Sequence, residues 1–111
     1  MKVNTYRAGP STVVCPREAI TQTECDQLKV MVVEATLGGA PAVVLDLSEV
    51  PFIDSRGLEM LLELEKGCRE QSGRLKLAAL SENCTEILRL TDLLPRFEVL
   101  ASADQAAKGV V

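Results

Sequence analysis

The sequence predicts an α/β fold built on a mostly parallel sheet, with elements in the order β-β-α-β-α-β-α-β-α. Three observations carry that prediction. Apolar runs of strand length alternate with amphipathic stretches of helix length. One run, "AVVLDL" (residues 42–47), is apolar almost throughout, as expected of a strand buried on both faces. The connections are short and marked by Gly, Pro or Ser, which leaves no room for a lid or a large insertion. The 111 residues suit one domain, taken as residues 1–111.

"KVNTYR" alternates loosely and meets the turn signal Ala8-Gly9-Pro10. "STVVC" then reads as a second strand, antiparallel to the first at one sheet edge. Pro16 stops it. Thr21 with Glu24 three residues on fits a capping box, and Thr23 competes for the N-cap. The helix that follows carries Leu28, Met31, Val32 and Ala35 at helical spacing and ends at Gly38-Gly39. Met31 and Val33 flank Val32 and make this helix unusually apolar; core packing is the expected use, an interface the alternative.

After the buried strand comes "VPFIDSRGLEMLLELE" (residues 50–65), whose helix places Leu58, Leu61, Leu62, Leu64 and Cys68 inward. Glu59, Glu63, Glu65 and Lys66 mostly face water. Gly73 closes that unit. "RLKLAAL" (residues 74–80) is the next strand, and Ser81 N-caps a third helix with Glu82 in its first turn. That helix carries Cys84, Ile87, Leu88 and Leu90 and is expected to end at Pro95. "FEVL" (residues 97–100) is a last short strand. Ser102 with Gln105 forms a capping box for a final helix.

Composition excludes several functions. Aromatics are 3% of the chain and the net charge is −4. Both features argue against nucleic acid, which needs stacking faces and cations. No apolar run reaches the roughly 18 residues of a membrane span, and the N-terminus lacks a secretory h-region. Cytoplasmic residence without membrane insertion is the expectation. Cys15, Cys25, Cys68 and Cys84 form no close pair, and there is no His. Plain buried or half-buried thiols are therefore expected, with no metal site and no cofactor. Catalysis by Ser-His-Asp or Cys-His is excluded.

The junction Asp54-Ser55-Arg56-Gly57 has two readings. Asp and Ser are both preferred N-caps, and Gly57 would let neighbouring backbone approach closely. Alternatively, Ser55 is a modifiable hydroxyl at a helix N-terminus, where the helix dipole favours negative charge. Two candidate caps in succession exceed what one helix start needs. Arg56 is a cation able to pair with a phosphate or a partner's carboxylate. The junction also follows the carboxyl end of an interior strand, where α/β sheets place their sites. Ser48 and Glu49, in the preceding turn, are candidates for the border of a partner surface.

"VVLDLSEVPFIDSRGLEMLLEL" resembles the core of the STAS domain, named for sulfate transporters and anti-sigma factor antagonists. The family pattern is an apolar strand ending in Asp-Leu-Ser, a short turn, then Asp-Ser-Ser/Thr-Gly-Leu opening a helix. "GRLKLAALSENCTEILRLTDLLPRFEVLASADQAA" resembles the family's later half, and the match covers about residues 42–107. Free-standing proteins of this kind are similar to bacterial anti-sigma factor antagonists. The resemblance implies a partner-switching regulator of transcription that is not an enzyme. Its partner would be a serine kinase that is also the anti-sigma factor, and a PP2C-type phosphatase would reset it. Ser55 matches the phosphoacceptor, Asp54 its acidic neighbour and Gly57 the motif glycine. The chain departs from the family at Arg56, where Ser or Thr is common, at Asp92, which replaces the Gly of "LTGL", and at the N-terminal "CPREAIT". An alternative reading is an unswitched STAS adaptor in a transporter or lipid-trafficking assembly, with Ser55 only a helix cap.

Overall fold

Gly9 takes a positive φ of 60°, as tight hairpin turns require. This turn pairs β1 (Val3–Ala8) antiparallel with β2 (Ser11–Pro16), Val3 opposite Pro16 and Ala8 opposite Ser11. The computed structural model describes residues 1–107; residues 108–111 of the expected domain lie outside the described residues. After β2 come α1 (Gln22–Leu37), β3 (Ala42–Asp46), α2 (Ser55–Glu70), β4 (Arg74–Ala78), α3 (Glu82–Leu90), a 3-10 turn (Leu94–Arg96), β5 (Glu98–Leu100) and α4 (Ala103–Ala107). The sheet order is β1-β2-β3-β4-β5, parallel from β2 to β5. The predicted element order and mixed sheet are therefore those of the structure.

Strand periodicity divides the core in two. Val14, Val43, Leu45, Leu75 and Leu77 point to one face and pack against Leu28, Val32, Met60, Leu61 and Leu88. Val13, Val44 and Ala78 point to the other and pack under Ala103, Ala106 and Ala107 of α4. There the buried Lys76 ammonium donates to the Ala106 carbonyl at 3.0 Å, and the Ser11 hydroxyl donates to the Ala107 carbonyl at 3.1 Å. These bonds tie α4 to β2 and β4 beneath it.

α1 and α2 lie side by side and parallel. Asp54 reaches Gln22 at their N-termini, Lys29 meets Glu63 midway, and Thr36 meets Cys68 further on. Thr21 is the N-cap of α1, not Thr23, and the Glu24 carboxylate accepts from both its N–H and its hydroxyl.

Three expectations need correction. α3 stops at Leu90, not at Pro95, because Asp92 turns left-handed (φ 59°) and the Leu93 N–H closes back on the Leu88 carbonyl. Pro95 instead sits in the 3-10 turn. Leu90, expected inward, is 69% exposed on the last residue of the helix. On α1, Met31 packs against the core, but Val33 is exposed, as are Val30 and Leu37. Cys25, Cys68 and Cys84 are buried free thiols and Cys15 is half-buried, as the sequence suggests.

Candidate functional site

The candidate site is the eight-residue passage from the end of β3 into α2. The Leu47 N–H continues the strand direction by donating to the Ala78 carbonyl at 2.9 Å. Asp46 then turns the chain, its carboxylate accepting from the Ser48 N–H at 3.0 Å. Val50 is buried, and its carbonyl is held from α3 by the Ser81 hydroxyl at 2.7 Å and the Cys84 thiol at 3.2 Å. Burial pushes the Cys84 thiol pKa up, so the thiol keeps its proton and can donate. Further on, Ile53 forms an isolated parallel bridge with Ile20. The Ile20 N–H donates to the Phe52 carbonyl and the Asp54 N–H to the Ile20 carbonyl, both at 3.1 Å. The passage is thus tied to the core at both ends.

The two candidate caps separate at this point. Asp54 is the N-cap of α2: one carboxylate oxygen accepts from the Gly57 N–H at 2.8 Å. Its other oxygen accepts from the Gln22 N–H of α1 at 3.2 Å. One carboxylate therefore serves the free donors of two helix starts. Ser55 is the first residue of α2 and exposed, and its hydroxyl makes no hydrogen bond among the described residues. The reading of Ser55 as the helix cap is corrected: Asp54 has that role.

Gly57 is buried for a steric reason. A Cβ there would lie 2.6 Å from Ile53 Cγ2 and 2.7 Å from the Ile20 carbonyl oxygen. Helix α2 can approach the Ile20–Ile53 bridge this closely only with glycine at that position.

Arg56 points along its own helix. Its guanidinium pairs with Glu59 at 3.1 Å and Glu63 at 3.2 Å, and Glu63 also takes Lys29 at 3.0 Å. Hydrogen bonds from Lys29, then Arg56, hold the Glu63 carboxyl below its usual range, while Glu63 and Glu59 raise Arg56. Arg56 is thus already engaged and is not poised over Ser55. Ser48 and Glu49 are exposed in the turn, with Glu49 3.8 Å from Arg17.

Phe52, which reads in the sequence only as part of an apolar run, is 46% exposed three residues before Ser55. Pro51 beside it is exposed as well. Phe52, Pro51 and Ser55 are thus all exposed on the passage into α2. Among the described residues no cluster of His, Cys, Asp or Glu could hold a metal ion. Nor is any helix among them long and apolar enough to cross a membrane.

The five-stranded mixed sheet, with its Asp54-capped helix after β3, is that of a known family of regulatory domains. The chain belongs to the STAS domain family, which it matches over residues 2–106. Members of this family are regulatory, non-catalytic proteins, and this chain is not an enzyme. It is 27% identical over 107 residues to BtrV of Bordetella bronchiseptica, a provisionally assigned anti-sigma factor antagonist, covering 96% of this chain and 92% of that one. An anti-sigma factor antagonist from Mycobacterium paratuberculosis superposes with a TM-score of 0.84 at 23% identity, covering 98% and 92% of the two chains. The anti-sigma factor antagonist SpoIIAA superposes in its unphosphorylated form with a TM-score of 0.80 at 17% identity, covering 99% of each chain. Its phosphorylated form, from Bacillus, superposes with a TM-score of 0.74, covering 99% and 100%.

Proposed function

We propose that this chain is a cytoplasmic anti-sigma factor antagonist. In this reading its unmodified form binds a serine kinase that is also an anti-sigma factor, and phosphorylation of Ser55 ends that binding. A PP2C-type phosphatase restores the free hydroxyl. The observation that carries the reading is the division of labour at the start of α2. Asp54 and Gly57 do the structural work, while the Ser55 hydroxyl is exposed and uncommitted. Likeness to SpoIIAA, which exists in both phosphorylation states, supports it.

A phosphate on Ser55 would add about −1.5 to −2 charges at the first turn of α2. The helix dipole favours that charge by roughly 0.3–1 kcal/mol, while the neighbouring Asp54 carboxylate opposes it. The two effects offset locally, so the fold changes little. The surface around Phe52, Ser48, Glu49 and Arg56 changes much more, because a docked partner would have to desolvate the new charge. The test is phosphate mapping by mass spectrometry after incubation with the kinase and ATP, with partner capture by wild type, Ser55→Ala and Ser55→Asp. Phosphate should sit on Ser55, and Ser55→Asp alone should lose the kinase. Phosphate elsewhere, or capture by Ser55→Ala that ATP still abolishes, would remove the switch.

A further inference from the structure

β1 is one rim of the sheet, hydrogen-bonded to β2 on one side only. The Arg17 N–H donates to the Lys2 carbonyl at 2.8 Å, so the Lys2 backbone faces β2. Antiparallel ladders alternate. Asn4, Tyr6 and Ala8 therefore face β2 as well, and the N–H and C=O groups of Val3, Thr5 and Arg7 point outward. Pro16, which has no N–H, stands opposite Val3, where none is needed. The register runs through six consecutive pairs without a bulge, and β1 holds no proline. Either device would guard an edge against further pairing. Asn4, Thr5, Tyr6 and Arg7 are all exposed.

Charge decides what can join this edge. The first seventeen residues hold Lys2, Arg7 and Arg17 and no carboxylate, whereas the rest of the chain holds nine cations against sixteen carboxylates. Arg17 lies 3.8 Å from Glu49. Glu18 accepts from the Lys2 backbone N–H at 2.6 Å, not from its ammonium. The Lys2 and Arg7 side chains pair with no carboxylate among the described residues. They stand at the two ends of the free edge, about 17 Å apart. The other rim, β5, is three residues long, and its Glu98 already lies within 3.9 Å of both Arg74 and Lys76.

We propose that the free edge of β1 takes an added strand, an extended acidic segment of a partner protein. Its backbone fills the outward N–H and C=O groups of Val3, Thr5 and Arg7, and its carboxylates meet Lys2 and Arg7. A second copy fits worse. Residues 2–8 hold no carboxylate, so pairing this edge with itself in either direction brings four cations to one seam with no counter-charge from the strands. A basic strand would add to the same repulsion. None of these groups belongs to the turn from Asp54 to Gly57, so strand addition does not rest on the proposed Ser55 switch.

The experiment titrates ¹⁵N-labelled protein with a synthetic peptide of about eight residues, a Val-Thr core with two glutamates at each end. A second peptide with lysines in place of the glutamates serves as the control. With the glutamate peptide, amide exchange should slow at Val3, Thr5 and Arg7, while Asn4 and Tyr6, already bonded to β2, change little. Fluorescence of Tyr6, the only tyrosine in a chain without Trp, should follow the same titration. Thr5→Pro removes an outward N–H at an edge position that tolerates proline, so it should abolish binding in a folded domain. The double variant Lys2→Gln, Arg7→Gln keeps every backbone group and should bind about tenfold more weakly, the loss expected for two exposed ion pairs. Equal binding of both peptides, slowed exchange without the alternation, or undiminished binding by either variant would overturn the proposal. So would amide shifts confined to residues 48–57, which would place the peptide at the proposed switch. A concentration-dependent dimer that Thr5→Pro dissolves would overturn it too, by identifying a second copy as the occupant.

Discussion

Replacing Asp54 by alanine should cost far more stability than replacing Ser55. The Asp54 carboxylate accepts from Gly57 of α2 at 2.8 Å and from Gln22 of α1 at 3.2 Å. Loss of a helix N-cap costs about 1 kcal/mol. The second bond, longer and more exposed, adds roughly another 1 kcal/mol as a hydrogen bond to a charged group in partial contact with water. Asp54→Ala should thus lose about 2 kcal/mol, or about 8 °C in Tm for a domain of this size. Ser55→Ala removes an exposed hydroxyl without a partner and should stay within about 0.5 kcal/mol of wild type. Urea denaturation followed by far-UV circular dichroism suits the chain, which has no Trp and one Tyr. If the order reverses, with Ser55→Ala costing more than Asp54→Ala, Ser55 is the cap after all and the account of a free hydroxyl fails.

Gly57→Ala should destabilise by about 3 kcal/mol in the same assay, because the new methyl would overlap the Ile20 carbonyl and Ile53; a loss under half that size would show that α2 can slide outward. Ser72 and Asp92 hold φ of 62° and 59° at the ends of α2 and α3, so Ser72→Gly and Asp92→Gly should each raise stability by about 0.5–1 kcal/mol by relieving the left-handed penalty. Burial raises the thiol pKa values of Cys15, Cys25, Cys68 and Cys84, so the folded chain keeps protons that the unfolded chain releases. Their contribution to stability is then unchanged well below about pH 8.5, the ordinary thiol value, and falls as pH rises above it. A thiol reagent should modify Cys15 first in native protein and all four only in denaturant; fast native reaction at Cys84 would contradict its donation to Val50.

The strand before the site and the helix after it are legible in the sequence because two periodicities meet there. Four buried residues in a row (Ala42, Val43, Val44 and Leu45) cannot belong to a one-sided element. The leucines of α2 recur at helical spacing. The cap was not legible, since Asp54 and Ser55 have the same cap preference; only the Gly57 N–H, aimed at Asp54, separates them. Leu90 misleads for a related reason: spacing from Ile87 places it inward, but it is the last residue of α3 and the chain turns away after it. Phe52 and the outward valines of α1 escape a pattern-based reading because periodicity reports which residues are apolar, not which of them the fold covers. The link from Asp54 to Gln22 spans thirty-two residues, and no local signal announces it.

That link explains how one helical turn can hold both a rigid joint and an exposed, uncommitted hydroxyl. Positions three apart on a helix share a side, so Asp54 and Gly57 face Ile20 and the start of α1 together, while Ser55 stands out toward solvent. A charge added at Ser55 therefore does not break the bonds that join α1 to α2. Its effect on the joint runs through repulsion of the Asp54 carboxylate, and the Gly57 N–H resists that displacement. The Gln22 bond is the longer and more exposed of the two, so it should loosen first. Hydrogen exchange at the Gln22 amide should quicken on phosphorylation while the Gly57 amide stays protected. Equal loss of protection at both would mean that the added charge opens the helix start itself, and the separation of joint from switch would not hold.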